Sequence, residues 1–297
     1  LQRVDNIVGQ LGNPKGISTY EPHASEGEDQ LINYFGQLGV PIEPVPYFDE
    51  NAKTVFLTKN SACDPDIMDK VLPYVAKGGH IVATSGFAEA TMDKGFSDLT
   101  SVRFSGRKIS GTRFQGMSMG RWFGFEMQMI DSPISFSEMV HKNNATWYDA
   151  MLWVNDNAYP IITNDEYGKG YVNIINIPDN FGDLYKLPSG IVSQICDVMG
   201  KNEACFLAAD AQMNFFMYDN DTIGIYNHQP FMGQVQLVIT DDDIIGVENI
   251  ENGMKVTEPI AVRLPSFRGG DSASARPEPT RRYFNVPMWG GYAFFKF

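Results

Sequence analysis

The sequence predicts an α/β layer followed by a small antiparallel β-sandwich. Three observations carry this. Strand and helix signals alternate over the first two hundred residues, one strand–helix–strand unit is complete, and after Cys205 only short strand-like runs remain, with turn residues between them. The chain has 297 residues, above the roughly 250 at which one core usually stops growing, so two domains are expected, over 1–205 and 206–297.

Lys15–Thr19 is a short β-prone run. Leu31, Ile32, Phe35 and Leu38 then share one helical face, with Gly39 placed to end it. Ile42–Val45 is broken by Pro41, Pro44 and Pro46 and reads as an edge strand. Thr54–Thr58 is an apolar strand. Asp64 is expected as the N-cap and Pro65 in the first turn of a helix whose stripe is Ile67, Met68, Val71, Leu72 and Val75. Gly78-Gly79 stops that helix and His80–Thr84 is the next strand, parallel to the one before it. Residues 88–145 suggest loops and short strands. Ala150–Val154, Tyr159–Thr163 and Gly170–Ile177 are strands, the last two forming a hairpin around Asn164–Gly170. Pro188 opens a helix with Ile191, Val192, Ile195 and Val198 on its face. Beyond Cys205, strands are expected at Met213–Tyr218, Thr222–Tyr226, Gln234–Thr240, Ile260–Leu264, Tyr283–Val286 and Gly291–Phe297, with Phe267–Thr280 a loop.

Hydrophobic residues are 43% and charged residues 20%, a globular composition. Lys plus Arg is 23 against 36 Asp plus Glu, a net charge of −13. That excludes a broad nucleic-acid surface and disfavours attachment to anionic membranes. No apolar run approaches the roughly 20 residues of a membrane span. Leu1, with no initiator Met or signal peptide, reads as a cut end. The compartment stays open, an extracytoplasmic one placed slightly ahead of a cytoplasmic one. Cys63, Cys196 and Cys205 form no C-x-x-C pair and read as small buried hydrophobes.

Three segments carry a family resemblance. Thr54–Thr58, Asp64-Pro65-Asp66 and Tyr74-Val75-Ala76-Lys77-Gly78-Gly79-His80-Ile81-Val82 together resemble a segment of glutamine-amidotransferase-like domains. Pro160–Asn164 with Tyr167-Gly168-Lys169-Gly170 resembles the late hairpin of the β-galactosidase trimerisation domain of glycoside hydrolase family 42 and relatives. Val286-Pro287 with Gly290–Phe295 is similar to the last strands of the small β-domain that follows it there. The resemblance implies a flavodoxin-type three-layer domain, a homo-oligomer, and a catalytic barrel upstream of Leu1 in a glycoside hydrolase-like parent. The two barrel carboxylates of that family have no counterpart in this chain.

An amidotransferase needs a nucleophilic Cys on a strand-to-helix elbow, activated by His. Here the strand His80–Thr84 leads into Ser85-Gly86-Phe87 instead, so no catalytic residue is assigned. Ser85 reads as part of a βα loop and Cys63 as packing. His23, Glu26, Glu28 and Asp29 form the densest His/carboxylate group, read as acids near a helix N-terminus rather than metal ligands. His80, His141 and His228 read as structural. No metal or cofactor is expected. Trp122, Trp147 and Trp153, with Phe123, Phe125 and Tyr148, are candidates for a sugar platform or for packing. Arg103, Arg107, Arg113 and Arg121 read as local ion pairs. Phe267, Arg268, Arg276, Arg281 and Arg282 are candidates for holding the 267–280 loop against the α/β domain or another subunit. The expected role is accessory and structural within a carbohydrate-active enzyme. The rival is a small-sugar binding module with its ligand at the carboxyl ends of the parallel strands.

Overall fold

The computed structural model describes residues 2–116, 127–142, 146–230, 233–260, 281–288 and 291–297, the side chains of 2–4, 233, 234 and 287 excepted. The elements run α1 (Gln2–Val8), β1 (Pro14–Lys15), β2 (Ile17–Tyr20), α2 (Leu31–Gly36), β3 (Ile42–Val45), β4 (Thr54–Leu57), α3 (Ile67–Lys77), β5 (His80–Thr84) and α4 (Ser85–Thr91). Then come β6 (Val102–Gly116), β7 (Met127–His141), β8 (Trp147–Val154), β9 (Asn157–Tyr167), β10 (Gly170–Ile175) and α5 (Ser189–Gly200). The last part holds β11 (Cys205–Ala208), β12 (Met213–Tyr218), β13 (Thr222–Asn227), β14 (Gly233–Ile239), β15 (Val247–Asn249), β16 (Lys255–Val256), β17 (Arg282–Met288) and β18 (Gly291–Lys296).

This is a mixed α/β protein, with three sheets among the described residues. The nine-stranded sheet runs β3-β2-β4-β5-β10-β9-β8-β6-β7. Its first five strands pair in parallel and the rest antiparallel. Side chains alternate across it, as the pleat requires. Phe56 and Val82 face a core shared with α2 and α5, while Val55, Leu57, Ile81 and Ala83 face a second core shared with α3 and α4.

Two of the three motif segments behind the resemblance meet in space. Gly78 ends α3 with a positive φ of 121°, and Lys169 in the β9–β10 turn donates its N–H to Ala76 O at 3.2 Å. A Cβ on Gly170 would lie 2.2 Å from Gly79 O and 2.3 Å from Val75 O. Glycine in that turn is therefore set by close backbone approach rather than by any ligand.

Several expectations are corrected. Helix α3 begins at Ile67, with Asp66 rather than Asp64 in the N-cap position. Asp64 instead accepts from Asp66 N–H (3.0 Å), Tyr20 OH (2.8 Å) and Lys70 Nζ (2.5 Å), three better uses of one carboxylate. Burial works against its charge, yet these donors together hold its pKa below the ordinary value. Leu72 is only partly buried, and Tyr74 takes its place on the stripe. Residues 102–141 hold two strands of 15 residues each rather than loops and short strands. Strand β1 joins the later part of the chain by pairing with β12.

The C-terminal part has a three-stranded sheet, β11-β14-β17, and a six-stranded one, β1-β12-β13-β18-β15-β16, both antiparallel. The small sheet is buried on both faces. Phe206, Val238 and Tyr283 reach the core under α5, whereas Leu207, Leu237, Ile239, Phe284 and Val286 reach a core shared with Phe215, Ile225 and Phe295 of the larger sheet. That double burial explains the unbroken apolar run Leu237-Val238-Ile239. Of the expected strand Ile260–Leu264, Ile260 bridges Tyr283, and the remainder lies outside the described residues.

Candidate functional site

In open α/β sheets the carboxyl ends of the parallel strands are the usual ligand seat. Here that seat holds Glu28, buried in the segment that leads into α2. Its carboxylate accepts from Lys59 N–H (2.7 Å), past the end of β4, and from Thr84 Oγ1 (2.6 Å), at the end of β5. The N–H of Gly86 bonds it as well. A Cβ on Gly86 would lie 2.2 Å from Glu28 Oε1, so only glycine admits the carboxylate. Burial pushes the Glu28 pKa up, opposed by these hydrogen bonds.

The donor set has a chemical meaning. In strand–elbow–helix hydrolases the oxyanion is held by the N–H after the nucleophile and by one from a neighbouring strand's loop. Gly86 follows Ser85, and Lys59 lies in the neighbouring loop, so Glu28 already occupies the equivalent donors. Ser85 Oγ accepts from Ile177 N–H at 2.9 Å, and Ser85 has no positive φ, so no strained elbow presents it. His80 stands at the other end of β5, about 13–16 Å away along a five-residue strand.

His80, itself buried, centres a second polar cluster. Its Nε2 meets Asn173 Oδ1 at 2.9 Å, and its Nδ1 meets Asn202 Nδ2 at 3.0 Å and Thr54 Oγ1 at 3.2 Å. An amide NH₂ can only donate, so Nδ1 accepts and Nε2 carries the proton. Asn173 Nδ2 continues to Asp149 (3.1 Å), and Lys201 Nζ lies 3.8 Å from the centre of the Tyr171 ring that packs on His80. Burial, then Lys201, holds the His80 pKa well below the ordinary value.

The other residues singled out from the sequence scatter. Glu28 turns inward while His23, Glu26 and Asp29 stay on the surface, so that group is not one site. Cys63 is exposed on a single 3₁₀ turn, and Cys196 and Cys205 are buried, with burial pushing the Cys196 thiol up to about 12. His141 meets Tyr148 OH at 2.8 Å. Trp147 is 74% exposed. Trp153 donates from Nε1 to Gln115 Oε1 at 3.0 Å. Six residues apart on one strand is about 20 Å, too far for one sugar ring. Trp122, Phe123, Phe125 and Arg121 lie outside the described residues, as do Phe267, Arg268 and Arg276. Arg281 pairs with Asp197 of α5 at 2.9 Å, both largely buried, and Arg282 Nη2 donates to Asp241 O. Arg107 holds Glu138 through two bonds, at 2.8 and 3.0 Å, Arg113 reaches Asp156 at 3.3 Å, and Arg103 donates to Thr100 O at 3.0 Å.

One further face carries exposed apolar side chains among the described residues. At the antiparallel end of the large sheet, Phe114 and Leu152 pack inward against the core under α5. The opposite face carries the cross-strand rows Met129–Arg113–Trp153 and Met127–Gln115–Met151. Met129 is 70% exposed, and β7 is the sheet's edge strand. Met, Trp and Arg are the residues enriched at protein interfaces, and a long open edge is normally covered.

By its fold the protein is a mixed α/β layer with an antiparallel β part. The chain belongs to the family described as uncharacterized protein SSO3021, second domain, whose model matches residues 12–180. No curated protein matches it. Among solved structures it is similar to Gan42B, a GH42 β-galactosidase from G. stearothermophilus, with a TM-score of 0.49 and 10% identity over 99% of this chain and 42% of that one. It is similar to a β-galactosidase from Bacillus circulans sp. alkalophilus, with a TM-score of 0.48 and 12% identity over 100% of this chain and 43% of that one. A putative ThuA-like protein from Bacteroides uniformis aligns with a TM-score of 0.39 and 13% identity over 62% of this chain and 91% of that one. The chain thus spans 42% of the first β-galactosidase's length.

Proposed function

We propose that the chain is a non-catalytic accessory and assembly region of a carbohydrate-active enzyme. Its α/β layer, about residues 1–205, is amidotransferase-like and flavodoxin-type, and its β-sandwich spans about 206–297. The motif resemblance supports a parent that is glycoside hydrolase-like, with its catalytic barrel upstream and its subunits held in a homo-oligomer. The family's description as a second domain fits a segment that works beside another. The observation that carries the assembly role is the outward face of β6, β7 and β8, where Met127, Met129, Met151 and Trp153 stand without a covering layer among the described residues. The rival, a sugar at the strand ends, has its seat filled by Glu28.

Chromatography with light scattering tests the role. The parent chain is expected to run at a multiple of its monomer mass. Met129→Asp, which places a charge on a side chain already mostly in water, should shift it to monomer with little change in melting midpoint. A parent that is monomeric at every concentration, or a variant that assembles as the parent does, would contradict the reading.

A further inference from the structure

The face of the nine-stranded sheet that α5 covers turns polar at one end. Ala150, Ile162 and Ile175 pair side by side and lie in the core under α5. One row nearer the amino ends of the parallel strands, the same face holds Trp147, Asn164 and Asn173, again paired side by side across β8, β9 and β10. Helix α5 stops at Gly200, so Lys201 and not an apolar side chain meets this row. Asp149 joins it through a bulge. Tyr148 pairs with Thr163 and Ala150 with Ile162, which leaves Asp149 as the extra residue of β8. There its Oδ2 accepts from Asn173 Nδ2 at 3.1 Å. Asn173 is wholly buried and is held in turn by His80 Nε2 at 2.9 Å, so the carboxylate is fixed from behind.

The row opens to solvent at Trp147, which is 74% exposed. Asn164 beside it is half-buried, and its side-chain amide has no hydrogen-bond partner among the described residues. Directly paired residues stand about 5 Å apart at Cβ, and Asp149 is two positions from Trp147 on β8, about 7 Å, so all three reach one small ligand. The charges at this end are Asp149 and Lys201, on either side of the Asn173 amide, and Glu166, one row nearer the rim. Lys53, Glu203 and Asp241 line a separate cleft beyond Tyr171. With Asp149 and Glu166 against Lys201, an anion is repelled, and the Lys201 ammonium opposes a second cation. The complementary ligand is neutral. A pyranose ring offers C–H groups on a flat face and hydroxyls around its edge. An indole face takes the first, while a carboxylate that accepts and an amide that both donates and accepts take the second.

We propose that this end of the sheet binds one neutral hexopyranose unit, with Trp147 under the ring and Asp149 and Asn164 on its hydroxyls. The site lies at the opposite end of the parallel strands from the seat that Glu28 fills. It also lies on the opposite face of β8 from Met151 and Trp153, so it stands or falls apart from the assembly role.

Titration calorimetry of the whole chain with methyl β-D-galactoside, methyl β-D-glucoside and methyl α-D-mannoside tests it. At least one probe is expected to bind at about millimolar or tighter. Trp147→Ala should weaken that probe about tenfold with no change in melting midpoint, because the ring is mostly in water already, while Trp147→Phe retains most of the affinity. Asp149→Asn keeps an acceptor for Asn173 and should fold as the parent does, yet also weaken the probe about tenfold. Met129→Asp, on the other face, should leave the affinity unchanged. The proposal is overturned if no probe gives heat above dilution, or if Trp147→Ala and Asp149→Asn both bind as the parent does. It is also overturned if Trp147→Ala lowers the assembled mass, which would make the ring a contact between copies. A chain that binds the probe but never assembles refutes only the earlier reading.

Discussion

Glu28→Ala is expected to lower the melting midpoint by roughly 10 °C. The change leaves Lys59 N–H, Gly86 N–H and the Thr84 hydroxyl without their common acceptor. Hydrogen bonds to a charged group contribute about 1.5–3 kcal/mol each, and the burial cost of the carboxylate offsets part of this, so a net loss of about 3 kcal/mol follows. At this chain length each kcal/mol moves the midpoint by about 2–4 °C. The pH dependence has a definite sign. The Glu28 pKa is raised in the folded state, so between its ordinary value of 4.5 and that raised value the native chain binds more protons than the unfolded one. This residue's contribution is therefore most favourable below pH 4.5 and is lost as pH rises through the folded pKa. Glu28→Gln should remove that fall while costing less stability than alanine. Thermal melts from pH 4 to 8 check both; an alanine variant melting within a degree or two of the parent would mean the carboxylate is not the strut described.

His80→Leu is expected to cost about 2–4 kcal/mol, because it removes the nearer of two donors to Asn173 Oδ1, leaving Lys201 Nζ at 3.4 Å, and one acceptor of Asn202 at a buried site. Its pH signature is opposite to that of Glu28. His80 has a folded pKa well below 6.5, so as pH falls beneath 6.5 the unfolded chain takes up a proton that the native chain refuses. Native stability should then fall by about 1.4 kcal/mol per pH unit from this residue alone. Leucine abolishes that component, so parent and variant should converge as pH drops from 7 to 5. Denaturant titrations across that range measure the slopes, and parallel profiles would show that His80 is not buried neutral.

Much of the α/β layer was legible because its signals are local. The stripe Ile67, Met68, Val71 and Val75, the stop at Gly78-Gly79 and the runs on either side lie within thirty residues and obey one period each. The long strands β6 and β7 were not. Their register shifts at Phe104/Lys108 and at Gly111/Arg113, and the second, an odd shift, puts Ile109 and Phe114 in the same core although they are five residues apart, so the alternation that marks a strand is broken mid-run. Glu28 was legible only as an acid before a helix. What makes it a plug is the N–H of Lys59 and of Gly86 and the hydroxyl of Thr84, brought to it by the ends of β4 and β5 from 31 to 58 residues away.

The claim that the strand-end crevice holds structure and not chemistry is tested most directly by turnover. The purified chain should show no hydrolysis of p-nitrophenyl glycosides, p-nitrophenyl acetate or glutamine above buffer, and Ser85→Ala and Cys63→Ala should leave that unchanged. Turnover by the parent chain that disappears in Ser85→Ala would contradict it, because it would place a working nucleophile at the elbow where Glu28 now takes the oxyanion donors.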